Sequence, residues 1–149
     1  MTHEERNNLM AIVVGIMIII YIAWNVHSKV EAGVFTGPDG LMLWARTVLW
    51  AIPIGVISMI VGTILMAIIY AIATGDPKPS FIVDERDKLI GNWGMKVTIG
   101  CVSTGFIMAI IGLAMGSSAF VVLNVIFFSF AAGDLFGNLT KLVLWRRGL

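Results

Sequence analysis

Three polar side chains lie on one face of the last apolar segment, and their types and spacing could support chemistry. Asp134, Asn138 and Lys141 stand at positions i, i+4 and i+7, which fall on one side of an α-helix. At 1.5 Å per residue, Asp134 lies about 18 Å of helix before Arg146. This distance places the carboxyl inside a membrane, where it must be protonated, paired or in contact with water.

Two interpretations of Asp134 remain open from the sequence. The first is a proton- or cation-responsive carboxylate, because ionisable groups inside membranes are usually functional. The second is a structural contact, in which Asp134 bonds to Asn138 or to Ser103 and Thr104 on a neighbouring helix. The face has no second acid for a proton relay, which favours the structural contact. We expect Asp134 to face the protein interior, because a lipid-facing acid there costs about 2.5–3.5 kcal/mol on insertion scales.

A second polar cluster interrupts the apolar sequence at residues 75–96. Asp84 is suited to cap a helix, and Asp87 falls in the first turn, near the positive end of the helix dipole. We expect these acids and Arg86 to form a salt-bridged polar lid with basic residues of the last segment, since arginine–carboxylate pairs suit half-desolvated layers. The expected basic partners are Lys141, Arg146 and Arg147. The tract lacks the glycine-punctuated loop of an EF-hand, so calcium is not expected.

The elements that must position these residues are membrane-spanning helices. Hydrophobic residues make up 58 % of the 149-residue chain and charged residues 13 %, against about 25 % in a soluble domain. Four apolar stretches are long enough to cross a bilayer, at about 9–26, 50–73, 97–115 and 119–143. The sequence therefore predicts one all-α domain, a bundle of four transmembrane helices made of two hairpins joined by a polar cytoplasmic connection.

Glycine, proline and aromatic residues predict local features of the first loop and of the second span. Residues 37–40, with the sequence GPDG, predict a turn whose last glycine tolerates positive φ. Pro53 removes a backbone donor and favours a bend near the start of the second span. Trp44, Arg46 and Trp50 are expected at the membrane interface.

Small residues form a stripe along the third span and predict a close helix–helix contact. The partner could be a helix of the same chain or a second subunit. Cys101 begins the stripe; as the only cysteine it forms no internal disulfide, and we interpret it as a packing residue. The packing positions that follow it are Gly105, Ala109, Gly112 and Gly116.

Charge sets the expected orientation and excludes several functions. Eight basic residues fall on the side of both termini and the central connection, against two on the other, so that side is predicted to be cytoplasmic.

A net charge of +1 gives no reason to expect nucleic acid. His3 and His27 lie on opposite predicted sides, so no metal, haem or other cofactor is expected. Ser117-Ser118 and Ser103-Thr104 have no nearby histidine or lysine to act as base, which disfavours a hydrolase.

The two polar ends carry a family resemblance. Asp84-Glu85-Arg86-Asp87 after a second span, with Lys141 and Arg146-Arg147-Gly148 ending a fourth, resembles small four-helix membrane proteins of bacteria and archaea known as a domain of unknown function. The resemblance covers roughly residues 52–148. It implies a fold and a topology and no activity, and Asp134 is not matched by it.

These observations predict a non-enzymatic protein of the bacterial or archaeal inner membrane. We expect an accessory, sensory or regulatory partner that contacts membrane lipid and forms a homo-oligomer or binds a larger membrane protein. The alternative is a small oligomeric transporter or channel component that uses Asp134 as its responsive group.

Overall fold

The computed structural model describes residues 3–75 and 84–148, and every regular element in these ranges is helical. Four stretches are long and apolar enough to cross a membrane, and the second of them contains both α2 and α3. The all-helical fold predicted from the sequence is therefore confirmed. The helices are α1 (His3–Glu31), α2 (Gly40–Leu49), α3 (Ala51–Thr74), α4 (Glu85–Ala114) and α5 (Ala119–Arg147).

Two predicted helix boundaries have clear local causes. Asp84 caps α4, its Oδ1 accepting from the Asp87 amide at 2.9 Å. The break between α2 and α3 falls at Trp50, three residues before Pro53. Proline has no N–H to donate to the Leu49 carbonyl, so the helical hydrogen-bond pattern is interrupted at this turn, where the sequence predicts a bend.

The helices pack side by side in the order α3, α1, α5, α4. Helix α1 contacts α3 on one side and α5 on the other, while α4 packs almost entirely on α5. The short helix α2 lies beside α1 and α3. The two hairpins therefore meet through α1 and α5, and α3 and α4 form the two edges of the row.

One end of the row, here called the terminal end, contains the start of α1, the end of α5 and the described residues on either side of the central connection. There the Arg6 guanidinium of α1 stacks 3.8 Å over the Tyr70 ring of α3. At the same end, Trp145 of α5 meets Asp87 of α4. The opposite end, here called the loop end, holds the connections α1–α2 and α4–α5. This arrangement matches the predicted placement of both termini on one side.

The loop end contains the best-buried apolar cluster. It consists of Ile22 and Val26 of α1 with Trp44 and Val48 of α2. Trp44 is 7 % exposed, and its Nε1 donates to Asn124 Oδ1 of α5 at 3.1 Å. Trp44 is therefore covered by α5, which also supplies a polar partner for the indole. Its place at the membrane interface stays a prediction.

The α1–α2 connection contains the predicted turn, with the Gly40 amide donating to the Gly37 carbonyl at 2.9 Å. The positive φ, however, belongs to Gly33, at +68°. Gly40 is required for a different reason: a Cβ there would overlap the backbone of Phe35. The predicted conformation of Gly40 is thus corrected, although its requirement for glycine stands.

Helix α5 of the same chain covers most of the small-residue stripe on α4. Gly105 packs against the Ser129 side chain, and Ala109 is 2 % exposed. A Cβ on Gly112 would lie an ordinary 3.6 Å from Ser117 Oγ. Gly116 differs: it has φ +83° and no neighbour within 4 Å, so it serves the turn after α4 and not the helix interface.

The tightest part of this interface lies nearer the terminal end. A Cβ on Gly137 would lie 2.8 Å from the Gly94 carbonyl oxygen, and one on Gly133 would lie 3.1 Å from the Thr98 carbonyl oxygen. Thr98 Oγ1 also donates to the Gly133 carbonyl at 3.0 Å. Two glycines four residues apart on α5 thus allow α4 to approach at backbone distance.

Candidate functional site

The polar face predicted on α5 is an unbroken chain of hydrogen bonds. Lys141 Nζ donates to Asn138 Oδ1 at 3.1 Å, and Asn138 Nδ2 donates to Asp134 Oδ2 at 3.2 Å. Asn8 of α1 joins this chain, its Nδ2 donating to the Asn138 carbonyl at 2.8 Å. The structure therefore brings the three sequence-predicted residues together and adds a fourth from the other hairpin.

Asp134 itself is exposed in the single chain. Its neighbour Gly133, together with Gly137, faces α4, and Asn138 faces α1. At 100° per residue, Asp134 falls on the arc of α5 between these two contacts. The expectation that Asp134 faces the interior is therefore wrong. Its bond to Asn138 agrees with the structural alternative, whereas Thr104 bonds to its own helix at the Gly100 carbonyl.

The Asn8 contact also indicates the depth of Asp134. Asn8 is the last polar residue before the apolar stretch that begins at Leu9, so Asn138 lies level with the start of that stretch. Asp134 is four residues nearer the loop end, which is about 6 Å deeper at 1.5 Å per residue. The carboxyl thus lies roughly one helical turn below the polar boundary at the terminal end.

The expected polar lid joins α4 to α5, but through different partners. Asp87 is 8 % exposed, and its Oδ1 accepts from Trp145 Nε1 at 2.8 Å. Arg86 donates to the Trp145 carbonyl at 3.2 Å. Arg146 pairs instead with Glu5 of α1, Nε to Oε1 at 3.4 Å.

The predicted ion pairs of Asp84 and Asp87 with Lys141, Arg146 or Arg147 are absent from the residues that the structure describes. The cause is geometric. Asp84 is occupied as a helix cap, and Asp87 points at the indole of Trp145. Arg147 is exposed. The part of the connection at residues 76–83 lies outside the described residues.

A groove of ≈ 220 Å³ opens at the terminal end, where all four long helices contribute side chains. Asn8 lines it and is 6 % exposed, yet its Oδ1 is fully buried and accepts no hydrogen bond within 3–75 and 84–148. The other lining residues are Glu4, Asn7, Ala11, Met59, Asp87, Gly91, Asn138, Lys141 and Trp145.

Sequence reasoning missed Asn8 and Trp145 in this site. Asn8 directly precedes the first apolar stretch, and a buried amide at the start of a span needs a partner. Trp145 follows the fourth predicted span, and an indole N–H next to acids on an adjoining helix is a natural donor. The described residues contain no group of three or more acids, histidines or cysteines placed to hold a metal ion.

Comparison with protein families, with curated proteins and with solved structures found no match to this chain. Its function must therefore be argued from the geometry above.

Proposed function

We propose that the chain is a non-enzymatic accessory, sensory or regulatory protein of a bacterial or archaeal inner membrane, working as a homo-oligomer or bound to a larger membrane protein. The proposal includes kinship with the small four-helix family of unknown function that its polar ends resemble. The observation that carries it is the exposure of Asp134. A carboxyl one turn below the polar boundary is stabilised when a second protein surface covers it and supplies hydrogen-bond donors.

The orientation in this proposal places the terminal end in the cytoplasm. The basic residues support it, because most of them lie at that end and positive charge is retained on the cytoplasmic side.

Cysteine labelling tests the orientation in a Cys101→Ser background. Gly37→Cys lies in the loop-end connection, and Lys88→Cys is exposed in the first turn of α4. An impermeant maleimide should label Gly37→Cys in intact cells and Lys88→Cys only after permeabilisation. The reverse pattern would place the terminal end outside.

Substitutions at Asp134 test the proposed contact. Asp134→Leu removes the polar group that the partner would cover, so cross-linked complexes in native membranes should be lost. Asp134→Asn retains a hydrogen-bonding shape and should keep most of them. Phe136→Leu is the matched control, because Phe136 is 51 % exposed on the same helix. A chain that remains monomeric in native membranes, and whose stability Asp134→Leu leaves unchanged, would contradict the proposal.

The alternative function is a small transporter or channel component in which Asp134 responds to protons or cations. The hydrogen-bonded chain from Lys141 through Asn138 to Asp134 favours it, because the chain runs from the groove towards the carboxyl. Flux into proteoliposomes that Asp134→Asn abolishes without changing the fold would support this alternative. Absence of flux, together with loss of complexes in Asp134→Leu, would support the accessory function.

A further inference from the structure

The groove at the terminal end is rich in hydrogen-bond acceptors. Asn8 contributes a buried amide oxygen without a donor from the described residues. Glu4 and Asp87 add carboxylates, and the contact with Trp145 occupies only one oxygen of Asp87. A buried acceptor left without a donor is unfavourable, so a ligand that brings N–H groups is stabilised here.

The charges of the groove select among such ligands. Two carboxylates face one lysine, and that lysine already donates to Asn138. A simple anion would meet the field of the carboxylates, whereas an ammonium group would be attracted by it. Lys141 still has donors beyond its bond to Asn138, so a phosphate attached near the ammonium would meet a positive charge.

The position and size of the groove also restrict the ligand. Asn8 marks the last polar level of α1 before its apolar stretch, which is the depth of lipid head groups. The volume of ≈ 220 Å³ is below the roughly 300–1,000 Å³ typical of pockets for drug-sized molecules. The groove therefore suits a head group and not a larger solute.

We propose that this groove binds a primary ammonium group carried next to a phosphate ester, the chemistry of phosphoethanolamine. The ammonium is held by Asn8 Oδ1 and the carboxylates of Glu4 and Asp87, and the phosphate lies towards Lys141. Membrane phosphatidylethanolamine and free phosphoethanolamine both present this chemistry. A quaternary ammonium does not fit the proposal, because it has no N–H to donate to Asn8.

The test compares phosphatidylethanolamine with phosphatidylcholine, whose nitrogen is fully methylated, and with phosphatidylglycerol, which has no nitrogen. The full chain is reconstituted in nanodiscs of phosphatidylcholine with equal small fractions of phosphatidylethanolamine and phosphatidylglycerol, and retained lipid is counted by native mass spectrometry. Relative to its fraction in the nanodisc, retention of phosphatidylethanolamine should exceed that of either other lipid by about tenfold or more, the size expected for charge-assisted hydrogen bonds. Equal retention of all three, relative to their fractions, would exclude the lipid as the ligand and leave only the free compound to be tested.

A second measurement separates the two sources of the ligand. Free phosphoethanolamine is titrated into nanodiscs made of phosphatidylcholine alone, and the unfolding temperature is followed. A saturable rise would identify the soluble compound as a ligand, and no rise together with selective lipid retention would identify the lipid. If the lipids are retained equally and free phosphoethanolamine causes no rise, the proposal is overturned and water remains as the donor to Asn8.

Substitutions test whether the named residues of the groove bind the ammonium group. Glu4→Gln removes one carboxylate from a partly exposed position, and Asn8→Ala removes the buried acceptor. Each should lower the preference for phosphatidylethanolamine severalfold. Asn92→Ala, at an exposed position of α4 that does not line the groove, is the control and should retain the preference. Because Asn8 also bonds to Asn138, Glu4→Gln decides the result if Asn8→Ala does not fold; unchanged selectivity in Glu4→Gln would then contradict the assignment.

Discussion

Replacing Gly137 by alanine is expected to destabilise the packing of α4 on α5 more than any other single methyl group added along α5. The added Cβ would lie 2.8 Å from the Gly94 carbonyl oxygen and would also overlap the Thr98 side chain. Backbone cannot move aside as a flexible side chain can, so the helices must separate. Overpacking of this kind typically costs about 1–3 kcal/mol. Unfolding in a denaturing detergent titration would measure the loss.

Two glycines of α4, Gly100 and Gly112, provide controls for this prediction. Gly100 has no neighbour within 4 Å of the added Cβ, so Gly100→Ala should be neutral or should stabilise the helix by up to about 1 kcal/mol. Gly112→Ala meets only an ordinary contact at 3.6 Å and should be tolerated. If all three substitutions lowered stability equally, the close approach at Gly137 would not be the cause.

Removing the Asp87 carboxylate is expected to have the second large effect. In Asp87→Ala, the indole N–H of Trp145 loses its acceptor in a part-buried contact, which typically costs about 1–3 kcal/mol. Trp145→Phe removes the other partner of the same bond. Because both changes act on one interaction, their combined effect should fall short of the sum, and a double-mutant cycle in detergent would measure the coupling.

Charge reversal distinguishes the hydrogen bond between Asp87 and Trp145 from the ion pair between Asp87 and Arg146 that the sequence predicted. Arg146→Asp should not rescue Asp87→Arg, because Arg146 pairs with Glu5 and its side chain is 68 % exposed. The loss of that surface pair alone should change stability by only about 0–1 kcal/mol. Rescue by the double reversal would contradict the assigned geometry.

Hydropathy and capping signals were sufficient to predict the helices of this fold. Long apolar runs predicted the four spans, Asp84 marked the start of α4, and Pro53 marked the break before α3. These features depend on the local chain alone. Trp44 could not be placed in this way, because its burial depends on Asn124 and Phe127 of a helix far along the sequence.

The candidate site shows the same limit. Helical periodicity correctly grouped Asp134 with Asn138 and Lys141, since it fixes which residues share a face. It cannot fix which arc of the helix meets a neighbour. Gly133 and Gly137 determine that arc. Because they have no side chains, α4 packs closely against them on an adjacent arc, and Asp134 is left at the surface.

The central place of α1 in the row affects how the protein is made. Helix α1 is synthesised before α5, which it contacts, and the bond from Asn8 to the Asn138 carbonyl joins residues 130 positions apart. Contacts so distant in sequence form late. We therefore expect that, before α5 is synthesised, the polar start of α1 packs against α3, where Arg6 stacks on Tyr70 in the folded chain.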